Sequence, residues 1–184
     1  MNKPFKILGV DPGTNIMGYA IIEIHERKAK FIIMDVFHLQ SYEDHQTKLK
    51  EIFLQLQEII ETYMPAQMAI EAPFYGKNVQ SMLKLGRAQG VSMAAAMTMG
   101  LKIHEFSPKK IKKAITGNGN ASKEQVSKLL AAMLNIKIQS KYLDATDALA
   151  AAITLHQQMS NPLFGKSGAT SWKKFLAENP DRVR

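Results

Sequence analysis

The order in which the apolar residues change period narrows the possible folds of this chain more than any other feature. Three N-terminal runs, Phe5–Asp11, Ile16–Ile24 and Ala29–Phe37, are short and rich in Ile, Val, Phe and Tyr, the pattern of strands. Pro12 and Gly13 supply turn chemistry after the first run, and the charged segment His25-Glu26-Arg27-Lys28 joins the second to the third, so a three-stranded antiparallel meander is expected. Over 44–63 the period lengthens. Leu49, Ile52, Phe53, Leu56, Ile59, Ile60 and Tyr63 fall at helical spacing, and Pro65 ends that helix. Gln67–Glu71 returns to a strand, 78–99 suits a long helix, and Leu101–Phe106 gives a fifth strand. Ser107 followed by Pro108 caps and opens a helix. Ser122 with Gln125 forms a capping box for a helix reaching Leu134, and an alanine-rich helix runs over Leu143–Gln157. The order β-β-β-α-β-α-β-α-α-α implies an α/β fold whose mixed sheet is antiparallel and then parallel, flanked by helices.

The 184 residues fit one domain, since domains run to roughly 100–200 residues. Residues 1–159 are expected to form it, followed by a basic, partly mobile tail over 160–184 that contains Trp172. The chain has no cysteine, which removes disulfides, thiolate zinc sites and cysteine nucleophiles. Its longest largely apolar stretch, Val91 to Leu101, has eleven residues, against the ~20 of a bilayer span. No membrane association is expected. The N-terminal apolar stretch is too short for a signal peptide, and the expected compartment is the cytoplasm. The formal net charge is +8. Lys102, Lys109, Lys110, Lys112, Lys113, Lys123, Lys128, Lys137 and Lys141 face only Glu105 and Glu124 in the same stretch, a local +7. Such a run is either a solvated face or a track of phosphate contacts.

Four acids sit in apolar surroundings. Asp11 and Glu71 end apolar strands, while Asp144 and Asp147 open a helix that is otherwise almost wholly apolar. Residues three apart share a helix face. Each has a bland alternative: Asx-turn residue for Asp11, a lysine-paired carboxylate for Glu71, first-turn acids favoured by the helix dipole for Asp144 and Asp147. Taken together they suit a single cluster. Carboxylates that close repel unless a cation neutralises them, and hard oxygen ligands without sulfur favour Mg²⁺ or Mn²⁺. A carboxylate-held metal on a basic protein points to phosphodiester chemistry.

The segments Ile7–Tyr19, Ala69–Phe74 with Lys77 and Asn78, Leu83–Gly90, and Asp144–Ala150 resemble, in order and spacing, the motifs of the RuvC family of Holliday junction resolvases, over about residues 5–157. The resemblance implies a ribonuclease-H-like fold. It also implies a homodimer that resolves four-way DNA junctions by symmetric nicking in recombination and repair, alongside a branch-migration helicase complex. Carried onto this chain, Asp11, Glu71, Asp144 and Asp147 bind two Mg²⁺ ions, with Mn²⁺ able to substitute, and Lys112 and Lys123 assist catalysis or contact phosphate. Phe74 stacks on a base near the crossover. Tyr75, Lys77, Asn78, Lys84, Arg87, Lys109, Lys110 and Lys113 are candidate DNA contacts, and the helix through Gly86 and Gly90 is the candidate dimer helix. The expected reaction is hydrolysis leaving a 5′-phosphate and a 3′-hydroxyl.

Three rival readings share parts of this pattern. Asp11-Pro12-Gly13-Thr14 also fits an actin-like phosphotransferase, but that needs two related lobes and a second phosphate motif, whereas 184 residues have room for one lobe and the sequence holds no second motif. Another ribonuclease-H-like nuclease shares the acid placement. An inactive junction-binding protein gains nothing from four acids facing phosphate.

Overall fold

The computed structural model describes residues 3–73, 78–138 and 143–160. Five strands form one mixed sheet in the order β3-β2-β1-β4-β5. β1 (Phe5–Asp11), β2 (Ile16–His25) and β3 (Lys28–His38) make the antiparallel meander. β4 (Gln67–Glu71) and β5 (Lys102–Phe106) add parallel strands beside β1. The helices are α1 (His45–Tyr63), α2 (Val79–Thr98), α3 (Pro108–Thr116), α4 (Lys123–Leu134) and α5 (Leu143–Ser160). This is the element order that the apolar periods dictate. One short element escaped them, a 3₁₀ turn at Leu39–Ser41, too brief to carry a period.

Local chemistry accounts for the boundaries. At the β2–β3 turn Glu26 and Arg27 take positive φ, 48° and 66°, the backbone twist that tight hairpins favour. Asp44 caps α1 by accepting from the Thr47 amide, and Met64, left-handed at φ 49°, closes it ahead of Pro65. Ser107 caps α3 with Pro108 behind it, and Ser122 and Gln125 form the reciprocal box at the start of α4, as their order in the sequence predicts.

Strand alternation divides the core into two layers. Leu8, Val10, Tyr19, Ile21, Met68 and Ile70 face one way, under α1 and α2. Ile7, Ala20, Ile22 and Ala69 face the other, under α5 with α3 and α4. Asp11 continues the Ile7–Gly9 face and Glu71 the Ala69 face, so both acids emerge on the α5 side of the sheet. Helix α5 can lie close to the strands because its buried surface is largely alanine: Ala145, Ala148, Ala150, Ala151 and Ala152 are fully inaccessible. Two strand glycines complete that fit. A Cβ on Gly9 would stand 2.0 Å from the Ala148 carbonyl oxygen, and one on Gly18 would stand 2.1 Å from that of Asp144. Glycine inside a strand is a known mark of close backbone approach, and here it sets the height of α5 above the sheet.

Candidate active site

Asp11 closes β1, and Glu71 closes the adjacent parallel strand β4, with Val10 paired to Ile70 just before them. The two carboxylates therefore leave the sheet at one level. Gly18 lies across from Asp11 on β2, and its missing side chain admits the first turn of α5, which carries Asp144 and Asp147. The result is a cluster built from sequence-distant segments: Asp11, Asp144 and Asp147 each place a carboxylate oxygen within 4.8 Å of the others. Glu71 stands outside that triplet but lines the same cavity as Asp11 and Asp147, a cavity of about 510 Å³ rimmed by Lys109, Lys112 and Lys123. All four acids singled out in the sequence thus meet at one end of the sheet.

Burial and mutual repulsion raise the acids despite the lysines beside them. Burial, then the charges of Glu71 and Asp147, hold the Asp11 carboxyl well above its ordinary range. Burial and the charge of Asp147 push Glu71 up to about 7, although Lys123 and Lys112 oppose them. Asp147 is also raised, chiefly by burial, against the opposing hydrogen bond and charge of Lys123. Carboxylates raised together mark a place where a cation would be strongly held. Lys123 serves as a stand-in. Its ammonium donates to Asp147 and lies 3.8 Å from Asp144. Burial pulls Lys123 down, but the hydrogen bond and charge of Asp147, with the charges of Asp11 and Asp144, leave it raised overall. An all-oxygen donor set that already attracts an ammonium group fits a hard divalent cation.

The lysines divide by position. Lys109, Lys110, Lys112 and Lys113 lie on α3 and Lys123 opens α4, and of these Lys109, Lys112 and Lys123 line the carboxylate cavity. Lys110 lies over the Phe106 ring, 4.7 Å from its centre, a cation–π contact. Lys84 and Arg87 are exposed on α2. Asn78 caps α2 by accepting from the Ser81 amide at 3.0 Å. Phe74, Tyr75 and Lys77, and the tail from 161 with Trp172, lie outside the described residues. Gly9 and Gly18 carry no chemistry of their own, so their part in the site shows only in the packing of α5. The available signal was glycine interrupting apolar strands.

Comparison with known proteins decides the family. The model of "Crossover junction endodeoxyribonuclease RuvC" matches residues 7–156. The chain belongs to the RuvC family. A curated relative of that name from Christiangramia forsetii is 54% identical over 97% of this chain and 92% of its own length. One from Bacteroides fragilis is 51% identical, covering 97% of this chain and 95% of that one. Among solved structures, Thermus thermophilus RuvC in complex with its Holliday junction substrate aligns with a TM-score of 0.74 and 26% identity, over 82% of this chain and 92% of that one. The yeast mitochondrial Holliday junction resolvase, at 16% identity and a TM-score of 0.63, shares the ribonuclease-H-like fold. The resemblance noted in the motifs is therefore family membership, and the expected mixed sheet is the family's. No helix among the described residues is long and apolar enough to cross a membrane.

Proposed function

We propose that this chain is a metal-dependent endonuclease that resolves four-way DNA junctions by nicking two symmetry-related strands. The observation that carries the reading is the carboxylate cluster of Asp11, Asp144 and Asp147 with Glu71 beside it, at the floor of a lysine-rimmed cavity in a chain of the RuvC family.

Asp11, Asp144 and Asp147 are suited to hold one divalent ion, and Asp11 with Glu71 a second. Mg²⁺ is the expected ion and Mn²⁺ a substitute. Bound there, such ions supply Lewis-acid charge that favours hydroxide over water and stabilises a departing oxygen. The chain's own groups do the rest. Lys109, Lys112 and Lys123 attract the backbone phosphate into a cavity whose floor would otherwise repel it. Lys123 gives up Asp147 for the phosphate, where it and Lys112 offset the charge that builds on the non-bridging oxygens. A water oxygen attacks phosphorus in line and releases one proton to solvent, the bond from phosphorus to the 3′ oxygen breaks, and that oxygen takes up one proton from solvent. The products are a 5′-phosphate and a 3′-hydroxyl. Phe74 is assigned to base stacking at the crossover, and Lys84, Arg87, Lys110 and Lys113 to backbone contacts.

Two equivalent cuts need two equivalent sites, which a two-fold dimer provides. Helix α2 is suited to the interface. Val79, Leu83 and Met97 are 58%, 50% and 62% exposed, and with Gly86 and Gly90 they recur at helical spacing along one face. Nothing among the described residues lies within 4 Å of where a Cβ on either glycine would stand, so that face is open to a second copy.

The test is cleavage of a synthetic four-way junction with and without Mg²⁺, mapping both nicks, beside an RNA–DNA hybrid duplex of equal length. Paired, symmetric, metal-dependent nicks on the junction are expected. Preferential cutting of the hybrid would refute the reading.

A further inference from the structure

Beside the three acids and three lysines already described, one other polar side chain lines the carboxylate cavity among the described residues, that of Asn120. It comes from the loop over 117–121 that joins α3 to α4, and it is exposed. The mechanism above leaves it unused.

We propose that the Asn120 carboxamide donates a hydrogen bond to a non-bridging oxygen of the phosphate to be cut, and so orients that phosphate over the carboxylates. The proposal rests on the resolvase reading and adds a substrate-positioning residue to it.

Three observations support it. First, the loop is fixed without help from the Asn120 side chain. Gly117 closes α3 in the left-handed region, at φ 78°. The Thr116 hydroxyl lies 2.8 Å from the Lys112 carbonyl oxygen and accepts from the Asn118 amide at 3.1 Å. The Asn118 side-chain oxygen accepts from the Asn120 amide at 3.0 Å, and its carbonyl accepts from the Ala121 amide at 3.2 Å. Gly119 is seated against the first turn of α3, where a Cβ would stand 3.2 Å from the Lys109 carbonyl oxygen. The backbone of Asn120 is thus held between the helices that carry Lys109, Lys112 and Lys123. Second, the carboxamide itself is unspent. It has no hydrogen-bond partner among the described residues, and the cap of α4 is made by Ser122 and Gln125 instead. Third, its chemistry suits the place. A carboxamide offers two N–H donors and no charge. A cation here is drawn to the acids, as Lys123 is to Asp147, where it competes with a metal ion. A neutral donor reaches a phosphate oxygen without that competition, and a donor fixed in advance costs little to order when the charge on that oxygen grows.

The experiment is single-turnover cleavage of a synthetic four-way junction with Mg²⁺ at saturating enzyme, comparing wild type, Asn120→Ala and Asn120→Ser. It is repeated with each of the two phosphorothioate diastereomers at the mapped cut. Losing a hydrogen bond to a charged oxygen should slow Asn120→Ala about ten- to a hundredfold, and Asn120→Ser, which keeps a donor, should recover part of the rate. Melting should stay at the wild-type temperature, because the side chain is exposed and unpartnered. Sulfur accepts poorly, so on one diastereomer the gap between wild type and Asn120→Ala should shrink, as coupled changes do. Metal-free junction binding by Asn120→Ala should keep the wild-type slope of log K against log salt, since a neutral contact releases no counterion, whereas Lys109→Gln should lose about 0.9 of it. A cleavage rate for Asn120→Ala within twofold of wild type, a gap equal on all three substrates, or a rate loss that tracks a fall in melting temperature would overturn the assignment and leave the resolvase reading in place. A wild-type chain that makes no paired nicks in the junction would overturn both.

Discussion

Replacing Gly18 with alanine tests how the site is held together. The new Cβ would meet the Asp144 carbonyl oxygen at 2.1 Å, its carbon at 2.5 Å and the Ala145 nitrogen at 2.9 Å. All three are backbone atoms of α5, so no side-chain rotation relieves the clash. To bring the closest contact above 3.0 Å, the first turn of α5 must retreat from β2 by about 1 Å. That turn carries Asp144 and Asp147, and the position facing Gly18 in the sheet is Asp11. The retreat therefore opens the carboxylate triplet itself. A misplacement of that size costs about 10²-fold in rate, and overpacking costs about 1–3 kcal/mol in stability. In a chain of this length each kcal/mol lowers the melting temperature by roughly 2–4 °C. Single-turnover cleavage of a four-way junction, thermal melting and metal-free junction binding measure the three consequences. Cleavage should fall about a hundredfold, melting should drop but remain cooperative, and binding should persist because the lysines stay where they were. Cleavage within threefold of wild type would refute the idea that glycine at position 18 sets the carboxylate spacing.

Replacing Asp11 with Asn should abolish cutting, by about 10³-fold or more, yet leave junction binding equal or tighter because a charge facing phosphate is gone; parallel loss of binding would contradict a metal-holding role. The raised acids give a pH signature. Between 4.5 and about 7 the folded Glu71 holds a proton that the unfolded chain has released, so its contribution to metal-free stability falls as pH rises through that window. Glu71→Gln should therefore gain on wild type between pH 5 and pH 8, by about 3 kcal/mol at most, in melts with chelator, and Mg²⁺ should erase the gain; a Glu71→Gln variant that lost ground over that range would contradict the burial argument. On α2, Leu83→Asp or Gly90→Arg should convert a dimer to a monomer in sedimentation and uncouple the two nicks; an unchanged sedimentation coefficient would move the interface elsewhere.

Much of this was legible in the chain itself. The change from strand runs to helical spacing follows from the two side-chain periods, and Asp44, Ser107, Ser122 and Gln125 mark helix starts through local hydrogen bonds. These interactions span a few residues, so sequence order alone displays them. The anomaly of the acids was equally visible, because Asp11, Glu71, Asp144 and Asp147 interrupt apolar runs where burial of charge is expensive. Their motifs carried the family. Tertiary structure decided what depends on distance between remote segments. Only the sheet register puts Asp11 level with Glu71, and only the close fit of alanine-rich α5 against Gly9 and Gly18 brings Asp147 into reach of Asp11.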